Sequence, residues 1–334
     1  MPKRGTCYTG CLVSLMELHQ LRVLREFAER GGVRAAAEAL YITPSAVSQH
    51  LKALQRSAGT ALVVHEGRRL VLTDAGRALA AAAVDVERSM ASARNAIDVD
   101  AERPDRLVRI AAFPSAGRIF LPRLAMRFDD DSWPRVVLAD HDASQEQTVT
   151  MCGDHDIVLA HRWWVGEPWP KDRVSVTPLL DEPYDVALPA SHPLARRDEL
   201  APGDLLDVDW IAGQEGWPPA GIITAIGAVT GCRPEARHRI NDLATAVAMV
   251  REVGGVTLVP RYVGDYLVRG GVVTRPLAGV EARRVVAALS RPDRAVSAAV
   301  EEVVTALGEI AAELRAGHHW RPSAESAGGL PQSD

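Results

Sequence analysis

The chain has 334 residues, 47% of them hydrophobic, and its 38 basic and 43 acidic side chains leave a net charge of −5. That length suits two or three compact domains, and the slightly acidic balance excludes a surface that binds polyanions everywhere, so any nucleic-acid contact must be local. No apolar run reaches transmembrane length, and the four scattered cysteines (Cys7, Cys11, Cys152, Cys232) are too few for a disulfide framework, which fits a reducing cytoplasm.

Residues 1–15 carry Lys3 and Arg4 ahead of C-Y-T-G-C-L-V-S-L-M, but no apolar stretch long enough for an export signal precedes Cys11. This segment reads as a disordered extension or an upstream start, with Met16 the functional beginning. Leu18, Leu21, Leu24 and Ala28, with Phe27 alongside, then recur at helical spacing. Residues 34–40 are mostly alanine and leucine, strong helix formers that also let a neighbour approach closely. Tyr41 and Ile42 break the pattern, Thr43 can cap a new helix, and Pro44 fits its first position.

In the helix from Pro44, Val47, Leu51 and Leu54 share one side, while Ser45, Ser48, Gln49 and Lys52 share the other. Taken alone, the second face is either a DNA-reading surface or an ordinary solvated one. An amide can pair bidentately with adenine, and a cation suits a phosphate. The surroundings favour the first: a covering helix lies before it, and after it residues 62–65, the turn Glu66-Gly67-Arg68 and residues 69–72 read as a two-stranded wing, the alternative being an ordinary solvated hairpin. Arg68 and Arg69 near its tip can reach the DNA backbone or minor groove. Across this region Arg34, Lys52, Arg56, Arg68, Arg69 and Arg77 outnumber Glu38, Glu66 and Asp74. The expected DNA-contacting set is Arg34, Thr43, Pro44, Ser45, Ser48, Gln49, Lys52, Arg68 and Arg69.

Thr73 can cap a further helix, with Asp74 at its positive end. Leu79, Ala83, Val86, Met90, Ala93 and Ile97 then alternate spacings of four and three, the seam of a two-stranded coiled coil, so the helix is expected to dimerise; the alternative is a helix packed on its own domain, for which nothing nearby in sequence offers a partner surface. A twofold pair implies two DNA half-sites, an interrupted inverted repeat. Residues 98–106 are charged, aperiodic and hinge-like.

Beyond the hinge, strands alternate with helices: strands at 107–112, 136–139, 157–160, 184–188, 210–212 and 256–259, a helix from Pro114 toward Phe128, and another at 242–252. That is an α/β pattern with largely parallel sheets. Ligands in such sheets bind beyond the strands' carboxyl ends, where Pro114 and Ser115, His161 with Arg162, Gln214 with Glu215 and Trp217, and Asn241 with Asp242 fall. Ser115 can hold an anionic group at a helix start or serve only as an N-cap. Cys152, His155 and His161 bracket a strand but lack paired-ligand spacing, so no metal is expected. Trp163, Trp164 and Trp169 can line an apolar pocket, pack at a hinge or meet another subunit. No catalytic signature is present, and no cofactor is expected. Residues 316–334 read as a loose tail.

The opening M-E-L-H-Q-L, A-A-A-E-A-L, T-P-S-A-V-S-Q-H-L-K-A-L and L-V-L-T-D-A-G, in that order and spacing, resemble the DNA-binding half of the LysR-type transcriptional regulators. Two positions depart: Val63 stands where the family usually has phenylalanine, and His65 where an arginine is usual. More loosely, L-V-R-I-A-A-F-P-S-A, D-H-D-I-V-L-A and V-G-G-V-T-L-V-P resemble the family's effector domain. The resemblance implies a winged helix-turn-helix at 16–73, a linker helix at 74–97, and an effector domain at 107–315. The last would comprise two Rossmann-like subdomains, similar to periplasmic binding proteins, with the second at about 179–275. It further implies a cytoplasmic homodimer or homotetramer bound to double-stranded DNA. A small-molecule effector in the cleft would bias DNA bending and access by RNA polymerase. By the same resemblance Ser115 is a cleft residue, and His161, Gln214, Glu215, Trp217, Asn241 and Asp242 are further candidates. The alternative is a cytoplasmic binding protein or cleft enzyme without DNA function.

Overall fold

The computed structural model describes residues 16–98, 107–129, 133–214, 218–268 and 270–317. The expected extension 1–15, most of the hinge and the tail beyond Gly317 lie outside them. In the first domain α1 (Leu18–Arg30), α2 (Val33–Leu40) and α3 (Pro44–Ala58) enclose Leu24, Phe27, Ala36, Ala37, Val47, Leu51 and Leu54. The small Ala36 and Ala37 sit where the helices meet. Tyr41 closes α2 in the left-handed region, at φ 54°, and its side chain is 96% exposed. Thr43 then caps α3, its Oγ1 accepting from the Ala46 N–H at 3.2 Å.

The wing is β1 (Val63–Glu66) against β2 (Arg69–Leu72), antiparallel from Val63↔Leu72 to Glu66↔Arg69. Gly67 supplies the positive φ of its turn. Gln55 fastens the wing to α3: its Oε1 accepts from the N–H groups of Leu62 and Val63 at 2.9 and 3.0 Å. Next comes α4 (Asp74–Asp98), capped by Thr73, whose Oγ1 accepts from Gly76 N at 3.0 Å.

The remaining elements are β3 (Leu107–Ala112), α5 (Pro114–Arg127), β4 (Arg135–Asp140), α6 (Gln145–Met151), β5 (Ile157–Trp163), β6 (Ser175–Pro189), β7 (Trp210–Ala212), α7 (Pro218–Thr230), β8 (Ala236–Arg239), α8 (Leu243–Val253), β9 (Thr257–Pro260), α9 (Arg261–Leu267), β10 (Val272–Pro276), β11 (Arg283–Ser290), α10 (Pro292–Ala295) and α11 (Ala298–Gly317). They build a sheet in the order β10-β6-β11-β5-β3-β4, with β9 also on β6, and a separate β7–β8 pair.

Only part of this sheet is parallel, contrary to the expectation from alternating elements. The pairs β3–β4, β3–β5 and β7–β8 are parallel. β11 runs antiparallel to both β5 and β6, and β6 runs antiparallel to β9 and β10. The cause is connectivity: the chain leaves the first half of the fold along β6 and comes back beside it along β11. β6 therefore serves both halves. Its residues up to Pro183 pair with β11, and from Tyr184 onward it pairs with β9 and β10. Each half is apolar on both faces of its strands: the first has cores around Ile110, Phe120, Leu159 and Leu307 and around Ala111, Val158 and Leu289, the second around Leu188, Trp210 and Ile226 and around Ala187, Val247 and Val259. No helix among the described residues is long and apolar enough to cross a membrane.

Candidate nucleic-acid interface and ligand cleft

α3 is amphipathic for a reason its sequence states. Val47, Leu51 and Leu54 are at most 1% exposed, which turns Ser45, Gln49 and Lys52 to solvent on the opposite side. Thr43 and Ser45 hydroxyls lie 2.9 Å apart at the helix start, and the Ser48 hydroxyl donates to the Pro44 carbonyl at 3.0 Å, keeping its lone pairs outward. Arg34, Arg68 and Arg69 are exposed, the last two at the wing turn. The arrangement is a rod with a hydrogen-bonding face and a cationic flank, of a size that a major groove admits.

The predicted seam on α4 divides. Leu79 and Ala83 pack on the core of their own three helices, so a partner surface does exist nearby in the chain. Val86 and Met90 are 41% and 42% exposed, and Ala93 is exposed too; the side chain of Ile97 lies outside the described residues.

Between the two halves of the second domain is a cavity of about 160 Å³ lined by Phe113, Pro114, Ser115, Arg118, His161, Tyr184, Asn241, Asp242 and Arg284, among others. It brings together Pro114, Ser115, His161, Asn241 and Asp242 from the sequence-based set. Gln214 stands just behind: its backbone N–H donates to Asn241 Oδ1 at 2.8 Å. Glu215 and Trp217 are outside the described residues.

Ser115 is not the N-cap. Phe113 occupies that position, Pro114 is the first helical residue, and the Ser115 hydroxyl accepts from Arg284 Nη1 at 2.9 Å. Its oxygen occupied, the hydroxyl proton is free to point at a ligand. Arg284 is itself anchored by Glu182, with Nε and Nη2 at 2.7 and 2.6 Å from Oε2, while Glu182 Oε1 accepts from Tyr262 N at 3.0 Å. Burial opposes the Arg284 charge, but Glu182 and Tyr184 outweigh it and hold the guanidinium protonated.

The His161 ring rests against Phe113 with centroids 4.4 Å apart, and its Nδ1 is buried without a hydrogen-bond partner. Burial, then the nearby Arg284 cation, pushes its pKa down to about 3, so it meets a ligand as neutral imidazole. Asp242 caps α8, its Oδ1 accepting from Thr245 N and Oγ1 at 2.8 and 2.7 Å, and that hydrogen bonding holds its carboxyl below the usual range.

The sequence-based set lacks Arg118, Tyr184 and Arg284: Tyr184 and Arg284 reach the cavity from β6 and β11, distant in sequence, whereas Arg118 lies one helical turn beyond Ser115 on α5, where that spacing is the signal that could have found it. The other candidates separate. Cys152 is buried, His155 packs on His141 at 5.4 Å, and His161 faces the cavity. No group of three such side chains among the described residues is placed to hold a metal ion. Trp163 packs toward the second core, Trp164 lies under the Arg283 guanidinium at 3.5 Å, and Trp169 is buried beside Val174; none of the three lines the cavity.

Residues 18–77 match the bacterial regulatory helix-turn-helix protein, lysR family, and residues 101–312 match the LysR substrate binding domain. Among curated proteins, the Hca operon transcriptional activator HcaR of Escherichia coli is 27% identical over 271 residues, covering 79% of this chain and 88% of that protein. The DNA-binding transcriptional dual regulator OxyR of E. coli is 24% identical, covering 87% of this chain and 95% of its own. Among solved structures, a full-length OxyR of Pseudomonas aeruginosa superposes with a TM-score of 0.59 at 19% identity, covering 89% of this chain and 97% of the other; it shares the fold.

Proposed function

The chain belongs to the LysR family of bacterial regulators, and from that premise we propose how its two halves share the work of an effector-modulated, DNA-binding transcriptional regulator. The DNA-binding module is 16–73, the linker helix 74–97, the hinge 98–106, the effector domain 107–315 and the tail 316–334. Ser48 and Gln49 read base edges in the major groove, with Ser45 beside them and Thr43 and Pro44 fixing the helix start. Arg34, Lys52, Arg68 and Arg69 hold phosphates. The observation that carries this reading is the polar face of α3, exposed because Val47, Leu51 and Leu54 are fully enclosed on the other side.

Two subunits pair through Val86, Met90 and Ala93, large apolar or small side chains left open on a long helix. Ile97 extends that seam, and Leu79 and Ala83 belong to the module's own packing. The pair meets an interrupted inverted repeat, in the cytoplasm, as a dimer or tetramer whose bound form alters access by RNA polymerase. The effector occupies the cavity at Ser115, His161 and Arg284, near Pro114, Asn241 and Asp242. Glu215, Trp217 and Gln214, whose N–H holds Asn241, complete the proposed effector-binding set. It acts by preferring one arrangement of the subunits over another. The cavity works as a sensor and not as an enzyme site. Some relatives are named hydrogen peroxide-inducible genes activators. In this chain burial pushes the Cys152 thiol up to about 12, which leaves little thiolate for an oxidant, so the effector is assigned to the cavity and not to this cysteine.

Titrating the protein on its operator against salt tests the DNA half. Gln49→Ala should weaken specific binding by roughly tenfold to a hundredfold per half-site, the worth of one bidentate base contact in each, with the salt slope unchanged. Lys52→Ala should lower the slope by about 1 per half-site and weaken all sequences alike. Equal losses on specific and random DNA in Gln49→Ala would remove it from the reading face.

A further inference from the structure

One face of α1 is apolar and holds α3 through Leu24, Phe27, Leu51 and Leu54. The other face carries Arg25, Glu26, Glu29 and Arg30, and it meets charged groups from two distant parts of the chain. Arg25 Nη1 donates to Glu87 of α4, and Arg25 Nη2 lies 2.8 Å from Glu26 Oε1. Arg291, at the head of α10, reaches Glu26 at 2.9 Å and Glu87 at 3.6 Å while forking onto Asp293 at 2.9 Å. Arg30 crosses to Asp154 of the effector domain at 2.9 Å. Arg25, Glu26, Glu87 and Arg291 are all under 9% exposed.

No apolar cluster among the described residues contains side chains from both the DNA-binding module and the effector domain. Buried charge, and not a shared hydrophobic core, joins them. That distinction decides how the joint behaves. Pulling apart an apolar seam exposes surface that water rejects, whereas separated ions are rehydrated, so an ionic joint can open without leaving a sticky face. The cluster extends beyond single pairs. Glu26, Glu29, Glu87, Asp154 and Asp293 share Arg25, Arg30 and Arg291, with Arg22, Arg173 and Arg294 farther out. Burial raises the carboxyls of Glu29 and Glu87, while at Glu26 and Asp293 it is outweighed by the neighbouring arginines, which hold both below the usual carboxylate range.

We propose that Arg25, Glu26, Glu87, Arg291 and Asp293 form a releasable clasp by which the effector domain holds the DNA-binding module of its own chain. Because α1 and α3 share one core, the clasp sets where the recognition face stands relative to the effector domain. Its meaning for DNA rests on the regulator reading; its existence does not.

The test measures a distance without DNA. In the full chain, Cys7, Cys11 and Cys232 are changed to serine, buried Cys152 is kept, and spin labels are placed at Thr60→Cys and Glu302→Cys, both exposed positions in the two domains. Labelled subunits are diluted with unlabelled ones so that each oligomer holds one pair. The wild-type clasp should give one narrow distance distribution, and Arg291→Lys, which keeps the charge but loses the fork onto Asp293, should broaden it less than Arg291→Met. Arg291→Met should move most of the population into a broad one. Asp154→Arg, which sets a cation against Arg30 from a position 62% exposed, should do the same in part and serves if Arg291→Met does not fold. A broad wild-type distribution, or variants as narrow as the wild type, would overturn the clasp while leaving the DNA-binding reading standing.

Discussion

Gly76→Ala is expected to destabilise the DNA-binding module by about 3 kcal/mol, reversing the usual sign of a glycine-to-alanine change in a helix. Gly76 lies in the first turn of α4, where alanine would ordinarily gain up to roughly 1 kcal/mol through helix propensity and a less disordered unfolded chain. Here a Cβ would stand 2.0 Å from the Leu62 carbonyl oxygen and 3.1 Å from the Leu72 side chain. That oxygen accepts from Thr73 N at 3.0 Å, the bond that closes the wing onto the helix start. The backbone must retreat by more than an ångström or the bond must break, leaving a partly buried carbonyl unpaired. Gly308→Ala in α11 is the control: nothing lies within 4 Å of its Cβ position, so it should stabilise. Chemical denaturation of the two variants reads the opposite signs directly.

Arg284→Met should cost the effector domain roughly 3–5 kcal/mol, lowering its melting temperature by about 10 °C. The change strands Glu182, 1% exposed, with only the Tyr262 N–H to satisfy it. It also frees the Ser115 hydroxyl oxygen and removes the cation between the Phe113 and Tyr184 rings, 5.1 and 5.8 Å from their centres. Adding Glu182→Leu should recover most of the stability, since two apolar groups replace a buried pair at little net cost. Ligand binding should stay impaired in that double variant, because Ser115 remains unoriented. Recovery of stability and binding together would mean that Arg284 has no part in arranging the cavity.

The parts legible in the sequence were those whose causes are local. Thr43 and Pro44 announce the start of α3, and the spacing of Val47, Leu51 and Leu54 fixes which face it buries. The 107–112 strand was equally plain, a mostly apolar run broken only by Arg109, which is exposed, and followed by Phe113 and Pro114. What stayed hidden depends on distant pairing. Residues 175–189 carry Pro178 and Pro183, which read as breakers, yet β6 runs through both. The first proline sits beside a register shift opposite Val286 and Ala287, and the second falls where the strand changes partners, positions at which a missing N–H costs little. Arg284 was invisible as a cavity residue for the same reason: Glu182 and Ser115 lie 102 and 169 positions away. In α4 the heptad-like spacing was real, but Leu79 and Ala83 turned out to serve the module's own core, because α1 lies along them.

The proposed role of α3 is to read DNA in a paired molecule. Its most direct test is a footprint of the purified protein on the DNA upstream of its own coding region, with Gln49→Ala alongside and salt varied. Two protected half-sites on one face of the duplex, one helical turn or a multiple apart and weakened by salt and by the substitution, are the predicted result. No protection there, together with no sites recovered in a genome-wide capture with or without cell extract as a source of effector, would rule that role out.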